Sequence, residues 1–419
     1  MTRRSVPWLV LIGILVAALS LRAPIIALTP VLPDIIHDLG ISSASAGLLT
    51  TAPVIMFAVM TPLAALVIRR AGAELALLIA LGGVMVGTLV RALPGFGSMV
   101  TGMIIMGATI TVGNVVIPVI IRRDLPPERT AIATAAYTAT LNVGSLLTAL
   151  GTVPLAEVTG WSTALLLWGL FSVAGIALWL AHIVRSRSWR SAERMSGETV
   201  ASAGQGESAT RHETASITGP MPVVADNRIA VVLRRPIVWL LVIAFASQST
   251  VYYAMSTWLP TMLLDTTDVD AATAGALASL FQGVAIVGAM LAPLLMRFVG
   301  PVYSALMLGV CFAVMVAGML VAPELAGVWA SFGALTHSGG FVLIFTGLVR
   351  AARSDAEAAT MSALVQGGGY LFAALGAPVM GALHEASGGW QIPLVGTGVI
   401  VLVYVVALMS AMVVAFRRR

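Results

Sequence analysis

Twelve apolar stretches, most of them close to 20 residues long, alternate with short polar gaps along the chain. A helix of about 20 apolar residues spans the roughly 30 Å hydrocarbon core of a bilayer, whereas core helices of soluble domains are shorter. The pattern therefore predicts an all-α integral membrane protein with the lipid bilayer as its partner. The predicted spans cover residues 7–36, 44–68, 74–93, 98–121, 130–155, 162–184, 236–260, 271–296, 302–322, 325–349, 356–382 and 391–416.

The first predicted span is longer than a bilayer requires. Pro30 and Pro33 lie near its outer end, where a proline removes a backbone donor and interrupts a helix. Asp34 and Asp38 follow and mark the headgroup region. We therefore expect the helix to break before it leaves the membrane.

The longest polar segment separates the spans into two sets of six. From Arg190 to Asn227 the chain is rich in Ser, Thr, Gly and Glu and has no apolar period, which is typical of a flexible linker. We predict an N-terminal six-helix bundle at residues 1–184, a cytoplasmic linker at 185–235 and a C-terminal six-helix bundle at 236–419.

The two predicted bundles repeat one another at an offset of about 228 residues. A series of matches that keeps nearly one offset across both bundles indicates duplication, because a single match could arise by chance. Parallel repeats of this kind place a solute site near the midplane between the two halves. The matches are Leu32-Pro33 with Leu259-Pro260, Asp38 with Asp265, Ala46-Gly47 with Ala274-Gly275, Arg69 and Gly72 with Arg297 and Gly300, Glu128 with Glu357, and Gly160-Trp161 with Gly389-Trp390.

Charged residues are few and unevenly placed. They make up 10% of the chain against 59% hydrophobic residues, and every basic residue is an arginine. The arginines fall in the gaps on one side of the predicted membrane, which the positive-inside rule makes cytoplasmic, together with both termini. This placement explains the basic surplus by topology, so we predict no nucleic-acid partner. Arg91 is the only arginine assigned to the loops on the other side.

The motifs of common enzymes are missing from the sequence. It has no Gly-x-Ser-x-Gly elbow, no His-Glu-x-x-His and no lysine to complete a phosphate-binding loop. The single cysteine, Cys311, excludes a disulfide and a cysteine-rich metal site. We therefore predict no enzymatic activity, no cofactor and no metal.

Four segments outside the linker carry a family resemblance. They are Leu21-Arg22-Ala23-Pro24, Gly113-Asn114-Val115-Val116-Ile117-Pro118, Ser247-Gln248-Ser249 with Trp258-Leu259-Pro260, and Gln366 with Gly369-Tyr370. In these segments the chain resembles the cyanate/2-nitroimidazole transporter family of the major facilitator superfamily. The resemblance implies twelve transmembrane helices in two pseudo-symmetric six-helix bundles, and alternating-access transport of a small solute.

The loop between spans 2 and 3 departs from the superfamily pattern. An Asp-Arg pair usually precedes a glycine there, but this chain has Arg69, Arg70 and Gly72 without the aspartate. The resemblance implies a conformational latch at these three residues that lacks its acidic member.

Arg22 lies about halfway along the first span. A charge at that depth costs roughly 2.5–3.5 kcal/mol on insertion scales, so it requires a partner. Every Asp and Glu falls in a loop, the linker or a helix end, and Asp34, the nearest in sequence, is about 18 Å away along a straight helix. We expect a bound anion as the counter-charge, because guanidinium suits planar anions. The alternative is a structural arginine bonded to carbonyl groups at a helix break near Pro24.

Other polar side chains cluster at matching depth in the spans that the superfamily uses to line its cavity. They could instead form ordinary hydrogen bonds between helices, which contribute about 0.6 kcal/mol each. His337 is a candidate proton site, and a neutral buried histidine is the alternative. The predicted substrate-binding set comprises Arg22, Asn114, Tyr137, Asn142, Gln248, Tyr252, His337, Gln366 and Tyr370.

Three functions remain open from these observations. The first is secondary active uptake of a small anionic or planar polar solute, cyanate-like or nitrogen-containing, coupled to protons. The second is proton-coupled efflux of small heterocycles such as 2-nitroimidazole, and the third is a sensor or scaffold without transport. We expect a monomer in a bacterial inner (plasma) membrane.

Overall fold

The computed structural model describes residues 8–125, 127–197 and 231–416. Twelve helical segments in this part of the chain are long and apolar enough to cross a membrane, which confirms the predicted number of spans. The helices of the spans are as follows: span 1, Trp8–Ile26 and Leu32–Leu39; span 2, Ser43–Ala71; span 3, Ala73–Arg91; span 4, Phe96–Asp124; span 5, Pro127–Thr159; span 6, Trp161–Leu167 and Leu170–Gly197; span 7, Pro236–Thr266; span 8, Ala271–Gly283 and Ala285–Val299; span 9, Pro301–Val321; span 10, Ala326–Ala351; span 11, Asp355–Ala373 and Gly376–Ser387; span 12, Gln391–Phe416.

Several boundaries differ from the sequence prediction. Span 1 ends its first helix at Ile26, before the two prolines that were expected to interrupt it, and a short 3₁₀ turn follows at Thr29–Val31. The second helix of span 6 continues to Gly197, past the boundary predicted at residue 184. Most of the predicted linker, residues 198–230, lies outside the described residues.

The repeat predicted from the sequence is visible as a hydrogen bond that occurs once in each half. The indole N–H of Trp161 donates to Asp38 at 2.7 Å, and that of Trp390 donates to Asp265 at 2.8 Å. Each bond joins the start of the last span of its half to the end of the first span. The two six-helix halves therefore share the same bond between their first and last spans.

The two halves meet closely on the side of the molecule opposite the chain ends. There a Cβ atom on Gly47 would lie 2.6 Å from the backbone of Ala377 and Pro378, so span 2 packs directly on span 11. Nearby, the Ser43 N–H donates to the Glu385 carboxylate at 3.2 Å. The glycine of span 2 is needed because any side chain would separate the two backbones.

On the side of the chain ends, ion pairs lie within each half. Arg123 bonds Glu74 at 2.8 Å, joining spans 3 and 4, and Arg235 forms a salt bridge with Glu357, joining spans 7 and 11. In the predicted latch loop, Gly72 has a positive φ of 79° and Arg70 is exposed. The side chains of Arg69 and Glu128 are outside what the structure describes, and Arg3 and Arg4 lie outside the described residues.

Candidate functional site

The centre of the molecule is organised around Arg22, two residues before Pro24 in span 1. Its Nη1 donates to Asn142 Oδ1 of span 5 at 3.1 Å, and its Nη2 donates to the Tyr252 hydroxyl of span 7. Asn142 belongs to the N-terminal half and Tyr252 to the C-terminal half. One guanidinium therefore connects the two halves at mid-depth.

A chain of hydrogen bonds extends from this guanidinium into the C-terminal half. The Tyr252 hydroxyl donates to Gln282 Oε1 at 3.1 Å, and Gln282 Nε2 donates to Ser256 Oγ at 3.1 Å. Gln282 and Ser256 also line a small cavity between the halves, where Thr29 and Pro30 of the span 1 break form the opposite wall. The hydrogen-bond chain thus ends at a small cavity beside the break of span 1.

An aromatic stack supports Tyr252 from the side of span 10. The rings of Tyr252 and His337 are 3.7 Å apart between centroids and nearly parallel, at 12°. The guanidinium carbon of Arg22 lies 5.4 Å from the centre of the same tyrosine ring. Gln248, one turn before Tyr252, donates to the His337 carbonyl oxygen. His337 Nδ1 and Gln248 Oε1 have no hydrogen-bond partner among the described residues.

Asn114 and Tyr137 form a second pair beside the arginine. The Tyr137 hydroxyl donates to Asn114 Oδ1 at 3.0 Å. Span 4 approaches span 1 at this level because Gly113 has no side chain, and a Cβ there would lie 2.6 Å from the Leu21 side chain. The pair therefore lies next to the helical turn that carries Arg22.

Charge is the decisive property of this centre. Among the carboxylates whose side chains the structure describes, none lies within salt-bridge distance of Arg22. The partners of the guanidinium are a neutral amide and a neutral phenol. The described residues also contain no group of three or more His, Cys, Asp or Glu side chains that could hold a metal ion.

Comparison with known proteins identifies the architecture. A family model described as Major Facilitator Superfamily matches residues 10–360. The chain belongs to the major facilitator superfamily. It is 31% identical to the 2-nitroimidazole transporter of Escherichia coli K12 over 93% of this chain and 92% of that protein. It is 25% identical to the cyanate transport protein CynX of the same organism, over 91% of this chain and 90% of that protein.

A solved structure agrees with the fold of this major facilitator protein. The crystal structure of a D-xylose-proton symporter superimposes with a TM-score of 0.69 at 12% identity, covering 99% of this chain and 98% of that one. At that identity the agreement concerns the fold alone. The family match and the 31% identity to the 2-nitroimidazole transporter show that the chain is a multi-pass membrane transporter that acts on small molecules.

Two residues of the predicted set of this major facilitator protein make other contacts. Gln366 donates to Ser362 on its own helix at 2.9 Å. The Tyr370 ring packs edge-on against Phe245 at 5.1 Å and against Phe57 of span 2 at 5.9 Å, so it contributes an aromatic contact between the halves. Neither forms a hydrogen bond to the Arg22 chain among the described residues.

Sequence reasoning missed two participants. Gln282 is 4% exposed and completes the hydrogen-bond chain, and the signal was an amide in the middle of an apolar span. Arg91 was assigned to a loop because it ends span 3, but it is 2% exposed and bonds two backbone carbonyl groups. That assignment was wrong, since the break in span 1 provides a buried acceptor that a linear sequence does not reveal.

Proposed function

We propose that this protein is a secondary active transporter for a small anionic or planar polar solute, cyanate-like or nitrogen-containing, which binds at Arg22. The observation that carries the proposal is a mid-membrane guanidinium whose described side-chain partners, Asn142 and Tyr252, are both neutral. A buried charge without a counter-charge favours an ion of opposite sign. A planar anion fits best, because the guanidinium fork donates two parallel hydrogen bonds.

Binding of the anion would compete with the existing contacts of the arginine. Asn142 and Tyr252 hold the two guanidinium donors from opposite halves of the molecule. An anion that takes the Nη2 donor from Tyr252 therefore breaks a contact between the halves, whereas one that takes Nη1 from Asn142 changes only a contact within the N-terminal half. This is how solute binding would bias the alternation between the two access states.

Proton coupling would use His337, the candidate proton site of the set. Its ring and the Arg22 guanidinium both contact the ring of Tyr252. Two cations this close repel one another in a low dielectric, and a bound anion removes that repulsion. Anion and proton would then bind together, as symport requires. Symport with protons into the cell suits an anion that enters a negatively charged interior. In this topology, residues 185–235 and both termini lie in the cytoplasm.

The relatives guide the choice of test solutes. The two bacterial relatives are named for transport of 2-nitroimidazole, a planar heterocycle, and cyanate, a small linear anion. We propose to measure cyanate uptake in liposomes that contain the purified full-length protein, with an inward proton gradient. Arg22→Gln should lower the initial rate at least about 30-fold, because it removes the charge that pairs with the solute.

A control is needed for folding. Arg22→Lys keeps the charge and should retain measurable uptake, and Asn142→Ala should raise KM without abolishing transport. All variants are compared by size-exclusion profile and thermal unfolding. Uptake by Arg22→Gln at the wild-type rate would exclude the anion-binding role.

The second candidate is proton-coupled efflux of 2-nitroimidazole-like heterocycles, favoured by the 31% identity to the transporter of that name. The stacked rings of Tyr252, His337 and Phe281 offer a flat aromatic surface for a heterocycle. The two candidates differ in direction. A deletion strain that becomes sensitive to 2-nitroimidazole, together with proteoliposomes that do not take up cyanate, would favour efflux.

A further inference from the structure

Arg91, the last residue of span 3, is one of the largest fully buried side chains in the protein. None of the described carboxylates forms an ion pair with it. Two of its hydrogen bonds go to backbone carbonyl oxygens of other spans, and a longer contact of 3.8 Å joins Nη1 to the Met103 sulfur of span 4. Both carbonyl acceptors lie at places where a helix is interrupted.

The first acceptor is at the break of span 1. In a continuous helix the Leu28 N–H would donate to the Pro24 carbonyl, four residues earlier. Here Leu28 donates to Ile25 at 3.4 Å, and Arg91 Nη1 donates to the Pro24 oxygen at 2.6 Å. The arginine therefore replaces the bond that the break removes.

The second acceptor, the Leu165 carbonyl oxygen, is at the break of span 6 and has also lost its helical donor. The Gly169 N–H donates to Leu166 at 2.9 Å, so the Leu165 carbonyl loses its usual partner. Arg91 Nη2 donates to the Leu165 oxygen at 3.1 Å. One guanidinium thus satisfies two freed carbonyl groups on two spans.

The charge of Arg91 is balanced by the same arrangement. The C-terminal end of a helix carries a partial negative charge from its unpaired carbonyl groups. The first helices of spans 1 and 6 end at Ile26 and Leu167, beside the guanidinium. Two helix ends can therefore serve in place of a carboxylate.

We infer that Arg91 is a positioning residue for Arg22, an inference that rests on the function proposed above. Pro24 is two residues after Arg22 on the same helix, and its carbonyl is fixed to spans 3 and 6 by Arg91. This attachment sets the rotation of the helix end, and with it the direction of the Arg22 side chain toward Asn142 and Tyr252. Arg91 acts on the solute only through Arg22.

The test combines a structural and a kinetic measurement on full-length protein. Arg91→Met removes both hydrogen bonds, and Arg91→Lys keeps the charge but not the two-pronged geometry. Arg123→Gln is the control, since it removes an exposed arginine that contacts neither break. Hydrogen–deuterium exchange is followed in peptides that cover residues 24–31 and 165–171, and cyanate uptake gives KM and the maximal rate.

Arg91→Met should speed exchange in both peptides and raise KM about tenfold, as loss of an orienting neighbour does, with less than about a twofold change in maximal rate. Arg91→Lys should give exchange rates and a KM between those of Arg91→Met and the wild type. If Arg91→Met does not fold, Arg91→Lys replaces it in the test. Unchanged exchange in either peptide would show that Arg91 does not stabilise the helix break which that peptide covers. Faster exchange in both with an unchanged KM would overturn the positioning role.

The two proposals fail in different ways. If Arg22→Gln transports cyanate normally, the proposed function and the positioning role both fall. The exchange measurement uses no solute, so it still decides whether Arg91 caps both breaks.

Discussion

The two halves have the same frame but interrupt different helices. Spans 1 and 6 are broken in the N-terminal half, whereas their repeat counterparts, spans 7 and 12, are continuous from Pro236 to Thr266 and from Gln391 to Phe416. The C-terminal half instead interrupts spans 8 and 11, near Val284 and Ala374. Their counterparts, spans 2 and 5, are continuous. The likeness of the halves therefore extends to the tryptophan–aspartate bond but not to the positions of the helix breaks.

The broken helix of span 1 and the continuous helix of span 7 contribute different chemical groups to the centre of the molecule. The N-terminal half carries the charge, Arg22, on a broken helix whose end is held by a second buried arginine. In span 7, the offset that pairs Leu32 with Leu259 brings Val251 to the position of Pro24, and the helix runs on. This continuous helix supplies Tyr252, which accepts a hydrogen bond from Arg22, and Gln248, which donates to the His337 carbonyl oxygen. The site therefore combines a charged group from one half with aromatic and amide groups from the other.

Among the variants that compare the two halves, those at the contacts between them should have the largest effect. Gly47 and Gly275 are repeat counterparts, but a Cβ on Gly47 would lie 2.6 Å from the backbone of span 11, whereas one on Gly275 would lie 3.1 Å from the Ala149 oxygen. Gly47→Ala should lower the maximal transport rate at least about tenfold, because two backbones must move apart, and Gly275→Ala less than about threefold. Initial rates in proteoliposomes measure both.

The two glycine variants control for each other, since each adds one methyl group at the same place in the repeat. In a Cys311→Ala background, a cysteine introduced on the side opposite the chain ends should become more accessible in Gly47→Ala if that side no longer closes. Equal rates for the two variants would contradict the asymmetry between the contacts.

The duplicated tryptophan–aspartate bond provides the next test. Trp390 is 3% exposed and stacks on His384 at 3.9 Å, whereas the bond of Trp161 is exposed. Trp390→Phe should therefore destabilise by about 1.5–3 kcal/mol, the range for a hydrogen bond to a charged group, and Trp161→Phe by about 0.5–1 kcal/mol. Thermal unfolding in detergent, monitored by intrinsic fluorescence, ranks the two.

A matched variant separates the hydrogen bond from the charge. Asp265→Asn keeps an oxygen acceptor for Trp390 and removes only the charge, so it should cost less than Trp390→Phe. If the two tryptophan variants unfold at the same temperature, burial does not strengthen the bond in the C-terminal half.

The sequence was sufficient to predict the twelve spans and the all-helical fold, whereas the domain bounds at 1–184, 185–235 and 236–419 stay a prediction. The spans depend on apolar run length, which is a linear property of the chain. The isolation of Arg22 from carboxylates was also predictable, because the positions of all acidic residues are known from the sequence.

The sequence could not predict which groups meet across the bundle. The breaks of spans 1 and 6 bring carbonyl acceptors to Arg91, and the packing of span 8 on the continuous span 7 brings Tyr252 and Ser256 to Gln282. The alternative considered for Arg22, carbonyl groups at a break near Pro24, describes a contact that is actually made by Arg91. Which of two arginines reaches one carbonyl depends on helix packing, and packing is not local in sequence.

The ion pair between Arg235 and Glu357 lies just outside the membrane-spanning stretches Pro236–Thr266 and Thr360–Ser387, and it gives a pH-dependent test. Burial raises the pKa of the Glu357 carboxyl, but hydrogen bonds from the Arg353 N–H and from Arg235 outweigh it and hold the pKa below its usual value of 4.5. A lowered pKa contributes stability that is complete above pH 4.5 and is lost as the pH falls through the folded value. Glu357→Gln should remove this acid-dependent part and cost about 1 kcal/mol at neutral pH.

The measurement is the unfolding temperature of wild type and Glu357→Gln across an acid series. The two curves should differ at neutral pH and converge in acid. Parallel curves would mean that Glu357 does not titrate differently in the folded and unfolded protein.

The smallest effect is expected for the ion pair of the N-terminal half. Arg123 contacts Glu74 and Asp124 at 2.7–2.8 Å, but its side chain is 42% exposed, against 17% for Arg235. Exposed pairs contribute about 0.2–1 kcal/mol and weaken with salt, so Arg123→Gln should lower stability by no more than that. Raising the salt concentration should reduce the difference between wild type and Arg123→Gln more than it reduces the difference for Glu357→Gln. The reverse order would show that the N-terminal ion pair is screened less by salt than the C-terminal one. It would then be the N-terminal half that has the stronger ion pair on this side of the membrane.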